Sequence, residues 1–254
     1  MGRTTLRGTA TLFGVAAAFT FGATSAFAAS APIITVGIST VGIYDNYTAS
    51  GAGTANPDGS STLSGNGYGT DFNCDWSITA NPDPSISGSF NLQNLSSTAQ
   101  TFVLTVTLPA SIAGHTKMGG SFGDVTYTDT ANPGASPPRA ANSTVTIMTV
   151  TGSPFYRALV DGVGVQDMGA FNLTAFGGPG AFGTISQQVF GAPIPSAPGP
   201  NGVASSIGIR VTFNLTSDDT VNIPVFFRVE APEPTSFALI GLGVAALAIV
   251  RKRA

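Results

Sequence analysis

Apolar and polar residues alternate strictly along three stretches of this chain. In 100–108, Phe102, Leu104, Val106 and Leu108 share one face, with Thr101, Thr105 and Thr107 on the other. The stretch 206–215 repeats the pattern with Ile207, Ile209, Val211, Phe213 and Leu215, and 221–229 with Val221, Ile223, Val225, Phe227 and Val229. A period of two predicts half-buried strands whose apolar sets face a core. Pro224 falls on the opposite face of the third stretch. Proline cannot donate to a ladder, so this strand is expected at an edge or a bulge. SISGSFNL (85–92) and STVTIMTV (143–150) alternate less cleanly and still read as strands, and Phe72, Cys74, Trp76 and Ile78 form one more inward set. No helical period marks an amphipathic helix between Ala29 and Ala231, and Gly and Pro punctuate the gaps. The expected fold is all-β, an antiparallel β-sandwich. No repeat of roughly 20–50 residues points to a solenoid or propeller. The Gly/Pro-rich stretch 177–202 reads as a surface loop with a short strand near Ile185 to Phe190; the competing reading is a linker between two domains.

Both ends break this pattern. Arg3 and Arg7 precede an apolar core from Leu12 to Phe21, and Ala26-Phe27-Ala28 supplies a small-residue cleavage site. Residues 1–28 are expected to be a secretory signal peptide cut after Ala28. No Arg-Arg pair precedes the core, which favours the general export route, and Cys74 lies too far away for a lipoprotein anchor. At the other end, Ser236 to Val250 is a 15-residue apolar run without a charge. As a helix it spans roughly 22 Å against a hydrocarbon core of ~30 Å, a minimal single transmembrane helix. Arg251, Lys252 and Arg253 follow and would hold that end on the cytoplasmic side.

Pro232-Glu233-Pro234, then Thr235 and Ser236, the apolar run and the basic end 251–254 together resemble the PEP-CTERM sorting signal of Gram-negative bacteria. The resemblance covers 232–254. It implies recognition by an exosortase-type membrane enzyme near Pro232-Glu233-Pro234 and a transient stay in the inner membrane. It also implies a setting of exopolysaccharide production, with biofilm or floc formation. The expected destination is the cell surface or extracellular matrix, with exopolysaccharide as an expected partner. The same tail is sometimes named an ice-binding protein C-terminal domain, a label that describes the tail and says nothing about ice. DWSITANPDPSISGSFNLQNLSSTAQTFVLTVTLPASI and IGIRVTFNLTSDDTVNIPVFFRVEAPEP also resemble stretches that precede such tails in other exported proteins. They imply a shared β fold and carry over no active site.

Charge sharpens the picture for the exported part, 29–231. It holds 5 basic residues (Lys117, Arg139, Arg157, Arg210, Arg228) and 12 acidic ones, a formal net of −7. Such a surface disfavours nucleic acid and anionic lipid as partners. Candidate chemistry is sparse. Gly119 to Gly123, GGSFG, fits the G-x-S-x-G pattern around Ser121, with Asp124 adjacent. That chemistry needs a strand-to-helix elbow and a later histidine, whereas His115 comes first, so the stretch is expected to be a Gly-rich turn. DFNCDW places Asp71, Asn73 and Asp75 like the start of a calcium loop, but Trp76 and Pro82 stand where Gly and Glu are required. A different calcium site using Asp71, Asp75 or Asp83 is the competing reading. The Thr-x-Thr pairs 105/107, 126/128, 144/146 and 149/151 are too irregularly spaced for an ice-binding array and suit exposed strand faces. Cys74 reads as a small core residue, with an intermolecular bridge as the alternative. One His and one Cys leave zinc and thiol catalysis without partners, and no carboxylate pair is marked for glycoside chemistry. The expectation is an exported, non-enzymatic surface or matrix protein without a cofactor. The alternative is a carbohydrate-binding or adhesive module using Tyr44, Tyr47, Tyr68 or Tyr127.

Overall fold

The apolar side of each of the three strictly alternating stretches is buried. The computed structural model describes residues 33–41, 45–81, 83–130, 144–176 and 180–231. Within it, the inward sets of 100–108, 206–215 and 221–229 all lie in the core, as do Phe72, Cys74, Trp76 and Ile78. Among the described residues the chain forms eighteen strands and no helix. The first six are β1 (Ile34–Thr40), β2 (Asn46–Gly51), β3 (Thr54–Ala55), β4 (Ser61–Tyr68), β5 (Phe72–Asn81) and β6 (Ser85–Asn94). Next come β7 (Gln100–Pro109), β8 (Ile112–Phe122), β9 (Val125–Thr128), β10 (Thr144–Met148), β11 (Tyr156–Val160) and β12 (Val163–Met168). The last are β13 (Asn172–Phe176), β14 (Phe182–Ile185), β15 (Gln188–Phe190), β16 (Ala197–Val203), β17 (Ser206–Leu215) and β18 (Thr220–Glu230).

Two antiparallel sheets result. The first runs β12-β11-β17-β7-β1-β2, with β10 pairing β17 beyond β11 and carrying β13. The second runs β14-β9-β18-β6-β5-β4-β3, and β8 pairs β18 alongside β9 and carries β15 and β16. Their inner faces meet in one hydrophobic cluster. Phe72 of the second sheet stands edge-on to Phe102 of the first at 6.4 Å between centroids, and Phe122 to Phe155 at 5.1 Å. Each large side chain withdrawn from water contributes about 1.5–3 kcal/mol, which makes this shared layer the main source of stability. The arrangement is a β-sandwich.

Three expectations need correction or refinement. Pro224 is not on an edge strand, because β18 has β6 on one side and β8 and β9 on the other. The bulge is present, on the partner side. Between the pairs Phe122↔Val225 and Asn222↔Thr126, Gly123, Asp124 and Val125 oppose only Ile223 and Pro224. The missing N–H faces this break, where the Gly123 N–H donates to the Pro224 carbonyl at 2.9 Å. GGSFG is not a turn; it closes strand β8. Glycine is needed there for close approach, since a Cβ on Gly120 would lie 2.8 Å from the Phe226 carbonyl oxygen and 2.9 Å from the Tyr156 hydroxyl. The described part of 177–202 contributes β14, β15 and β16 to the second sheet instead of one short strand in a loop. β16 escapes a sequence reading because it carries Pro198 and Pro200 and pairs with β8 through two register shifts, features an edge strand tolerates.

Asp161-Gly162 joins β11 to β12 with φ of 51° and 77°, the backbone of a two-residue type I′ hairpin. The Asp161 carboxylate accepts from the N–H groups of Ala204, Ser205 and Ser206 and from the Ser205 hydroxyl at 2.7–3.0 Å. These donors favour the charged form and hold its pKa at about 2, below the ordinary carboxylate value. The stabilisation is therefore complete above the unfolded value near ~4 and is lost as pH falls through about 2. In an NMR titration Asp161 should give a midpoint near that value. Asp161→Asn, which tolerates the positive φ, should remove this part of the acid sensitivity. An ordinary carboxylate midpoint would show that the clamp does not form.

Candidate functional site

The last described strand leads directly into the tail. β18 stays paired to its final residue, where Glu230 lies opposite Lys117 of β8. Arg228 bridges Asp83 at 2.7 Å and also pairs with Glu230. Only the exposed Ala231 stands between this clamped end and Pro232. The first sheet begins at the same end of the sandwich. Thr35 pairs with Thr107, Pro109 with Ser206, and Ile112, where β8 starts, with Val203. The first and last described residues thus lie at the same end of the sandwich, one in each sheet. Residues 1–28 with Ala26 and Ala28, Pro232, Glu233 and Pro234, the run 236–250, and Arg251, Lys252 and Arg253 lie outside the described residues. So does Tyr44.

The remaining candidates do not assemble into reactive centres. Ser121 is buried within β8, paired with Phe226 on one side and Val189 on the other, with no helix after it. His115 sits six residues earlier on the same strand, roughly 20 Å away at ~3.3 Å per residue. The Asp124 carboxylate accepts from the Gln187 N–H at 2.9 Å. His115 therefore lies out of reach of Ser121, and Asp124 is engaged by the loop before β15. Asp75 accepts from Asn66 at 2.6 Å, Asp83 holds Arg228, and Asp71 donates its N–H to Asp45. Among the described residues no three potential metal ligands gather. A groove of about 450 Å³ beside β12 is lined by one carboxylate, Asp167, which Arg157 already grips through two nitrogens at 2.7 and 3.0 Å. A neighbouring groove of about 340 Å³, lined by Val41, Val103, Arg210 and Thr212 among others, has no acid. Neither offers the two carboxyls that glycoside hydrolysis requires. The Thr-x-Thr pairs are divided, with 105/107 in the first sheet and 126/128 in the second.

Cys74 is fully buried, and burial pushes its thiol up to about 12, with the neighbouring Asp75 charge adding to the shift. The native protein should resist thiol reagents and label only after denaturation. Cys74→Ala should cost about 1 kcal/mol in a denaturant titration, the value of a small apolar group removed from a packed site. A non-reducing dimer or rapid native labelling would instead mark an exposed cross-linking cysteine. The tyrosines divide sharply. Tyr127 is 4% exposed and Tyr47 half-buried, so neither is a stacking platform, while Tyr68 is 75% exposed. Tyr127 is overturned because it faces inward with Val125 on β9.

A family model described as the PEP-CTERM protein-sorting motif matches residues 230–253. The chain carries a PEP-CTERM tail. The match takes in Pro232-Glu233-Pro234, the apolar run and the three cations, and it begins on the last residue of β18. A PEP-CTERM tail marks an exported protein and is a recognition signal for exosortase-type processing. A search of curated proteins finds no match to the chain.

Proposed function

We propose that this protein is a non-catalytic component of the cell surface or the exopolysaccharide matrix, delivered there through its PEP-CTERM tail. The observation that carries the reading is the junction. A β-sandwich with a continuous core ends on a clamped strand, and the sorting motif follows after one residue. The tail is thus positioned as a detachable address on a self-contained load. The acidic, cysteine-poor domain suits an exterior setting in which neutral sugars and divalent cations are tolerated and polyanions are repelled. The burial of Ser121 within β8, with His115 six residues away on the same strand, supports a structural role over a hydrolytic one.

The test is where the protein resides. An internally tagged chain should fractionate with the washed cell surface or extracellular matrix, and stripping the matrix should release it. Recovery only from the periplasm, or only at full length in the inner membrane, would overturn the proposal.

A further inference from the structure

The outer face of the second sheet carries a row of side chains in register across six strands. Tyr68 on β4 stands opposite Asn73, Asn73 opposite Gln93, Gln93 opposite Thr220, Thr220 opposite Thr128, and Thr128 opposite Phe182 on β14. The two rings at its ends are the most exposed large hydrophobic side chains described, at 75% and 72%. Five steps of about 4.8 Å separate them by roughly 24 Å. A second row beside the first is polar throughout, Asn66 opposite Asp75, then Asn91, Asn222 and Thr126.

The composition of these rows works against strand formation. Asparagine is among the poorer strand formers, and Thr or Val would serve better on an exposed sheet face. Yet Asn66, Asn73, Asn91 and Asn222 occupy four neighbouring strands there. A local rule broken four times on one face is the mark of a binding requirement. Asn66 donates to Asn73 at 2.8 Å and to Asp75 at 2.6 Å, which fixes those three side chains. No hydrogen bond within the described protein holds the carboxamides of Asn91, Gln93 or Asn222.

We propose that this face binds an extended neutral polysaccharide chain, with Tyr68 and Phe182 as stacking platforms at its ends and the carboxamides between them reading hydroxyls. Aromatic faces accept the apolar side of a sugar ring, and each carboxamide offers both donors and an acceptor to hydroxyl groups. Neither row holds a cation, and the single carboxylate, Asp75, repels a polyanion, so the ligand is uncharged. A protein partner fits poorly. Protein interfaces concentrate apolar anchors at the centre and polar groups at the rim, the reverse of this layout. Strand addition is also closed off, because β5, β6 and β18 lie inside the sheet with both neighbours paired. The face lies by Thr220, ten residues up β18 from Glu230, or roughly 33 Å from where the tail leaves.

The inference builds on the matrix reading for its setting, but its test needs only binding. Full-length protein in detergent is run by affinity electrophoresis through gels containing dextran, a β-glucan, a xylan, a mannan or, as the polyanion, alginate. Retardation is expected in at least one neutral gel and not in alginate. The double variant Tyr68→Ala/Phe182→Ala should weaken the retardation about tenfold or more, with unchanged thermal unfolding because both rings are exposed. Gln93→Ala should weaken it less. Absence of retardation in every neutral gel, retardation undiminished in the double variant, or stronger retardation in alginate would each overturn the proposal. Any of these results would leave the sorting reading untouched, since that depends on location.

Discussion

Replacing Pro232, Glu233 and Pro234 with alanine should leave export intact and abolish processing of the tail. Fractionation should then show a full-length species held in the inner membrane and no surface form. Three parts of the tail cooperate in this expectation. The cations Arg251, Lys252 and Arg253 would fix orientation, the short apolar run would hold the chain in the bilayer, and the prolines would favour an extended motif for an active site. The structure adds a constraint. β18 is paired as far as Glu230 and only Ala231 follows, so an enzyme acting at Pro232-Glu233-Pro234 would meet its motif within two residues of a paired strand. Deleting Ser236 to Ala254 should instead release soluble protein into the periplasm. Wild-type processing and location of the alanine variant would reduce the tail to a plain anchor.

Gly120→Ala should destabilise the domain by about 1–3 kcal/mol, read from chemical denaturation, while Ser121→Ala should be close to neutral. The added methyl would stand 2.8 Å from the Phe226 carbonyl oxygen and 2.7 Å from the Phe190 ring. Backbone cannot yield cheaply there. The Tyr156 hydroxyl crosses from the first sheet to donate to that same carbonyl at 2.8 Å, and Tyr156 has no exposed surface. Tyr156→Phe should therefore cost about 1 kcal/mol or more by removing a buried hydrogen bond. The pair of variants at 120 and 121 separates the two meanings of GGSFG. A structural glycine predicts damage at Gly120, and a nucleophile would predict that only Ser121 matters, in activity and not in stability.

What was legible in the sequence follows from what makes a period visible. β7, β17 and β18 carry branched or aromatic residues at every second position and could be read at once. β8 could not, because glycines 119, 120 and 123 leave their side-chain space to Phe190, Tyr156 and Pro224 of other strands and to Ile194 of a turn. A strand whose packing is supplied by its neighbours looks like a turn in isolation. β4 hides for the same reason, since the Trp76 ring lies over Gly65 and Tyr47 and Ile38 over Gly67. The centrality of Pro224 was also out of reach, because it depends on a break in strands a hundred residues earlier. Of the possible ligand platforms, Tyr68 was among those singled out. Phe182 was not, because only the register of six strands places it at the other end of the same row.

The position of β18 has a consequence for timing. It is the last strand before the sorting motif, yet it lies between β6 and the β8–β9 pair that it alone joins to the rest of the second sheet. A chain made from its N-terminus cannot close that sheet until residues 220–230 emerge, by which point the tail is next to arrive. The exposed flanks of β6 and β8 must wait open until then, with contacts spanning over a hundred residues and correspondingly slow closure. The second sheet therefore becomes a closed, rigid layer only once the strand that adjoins the sorting motif has been made.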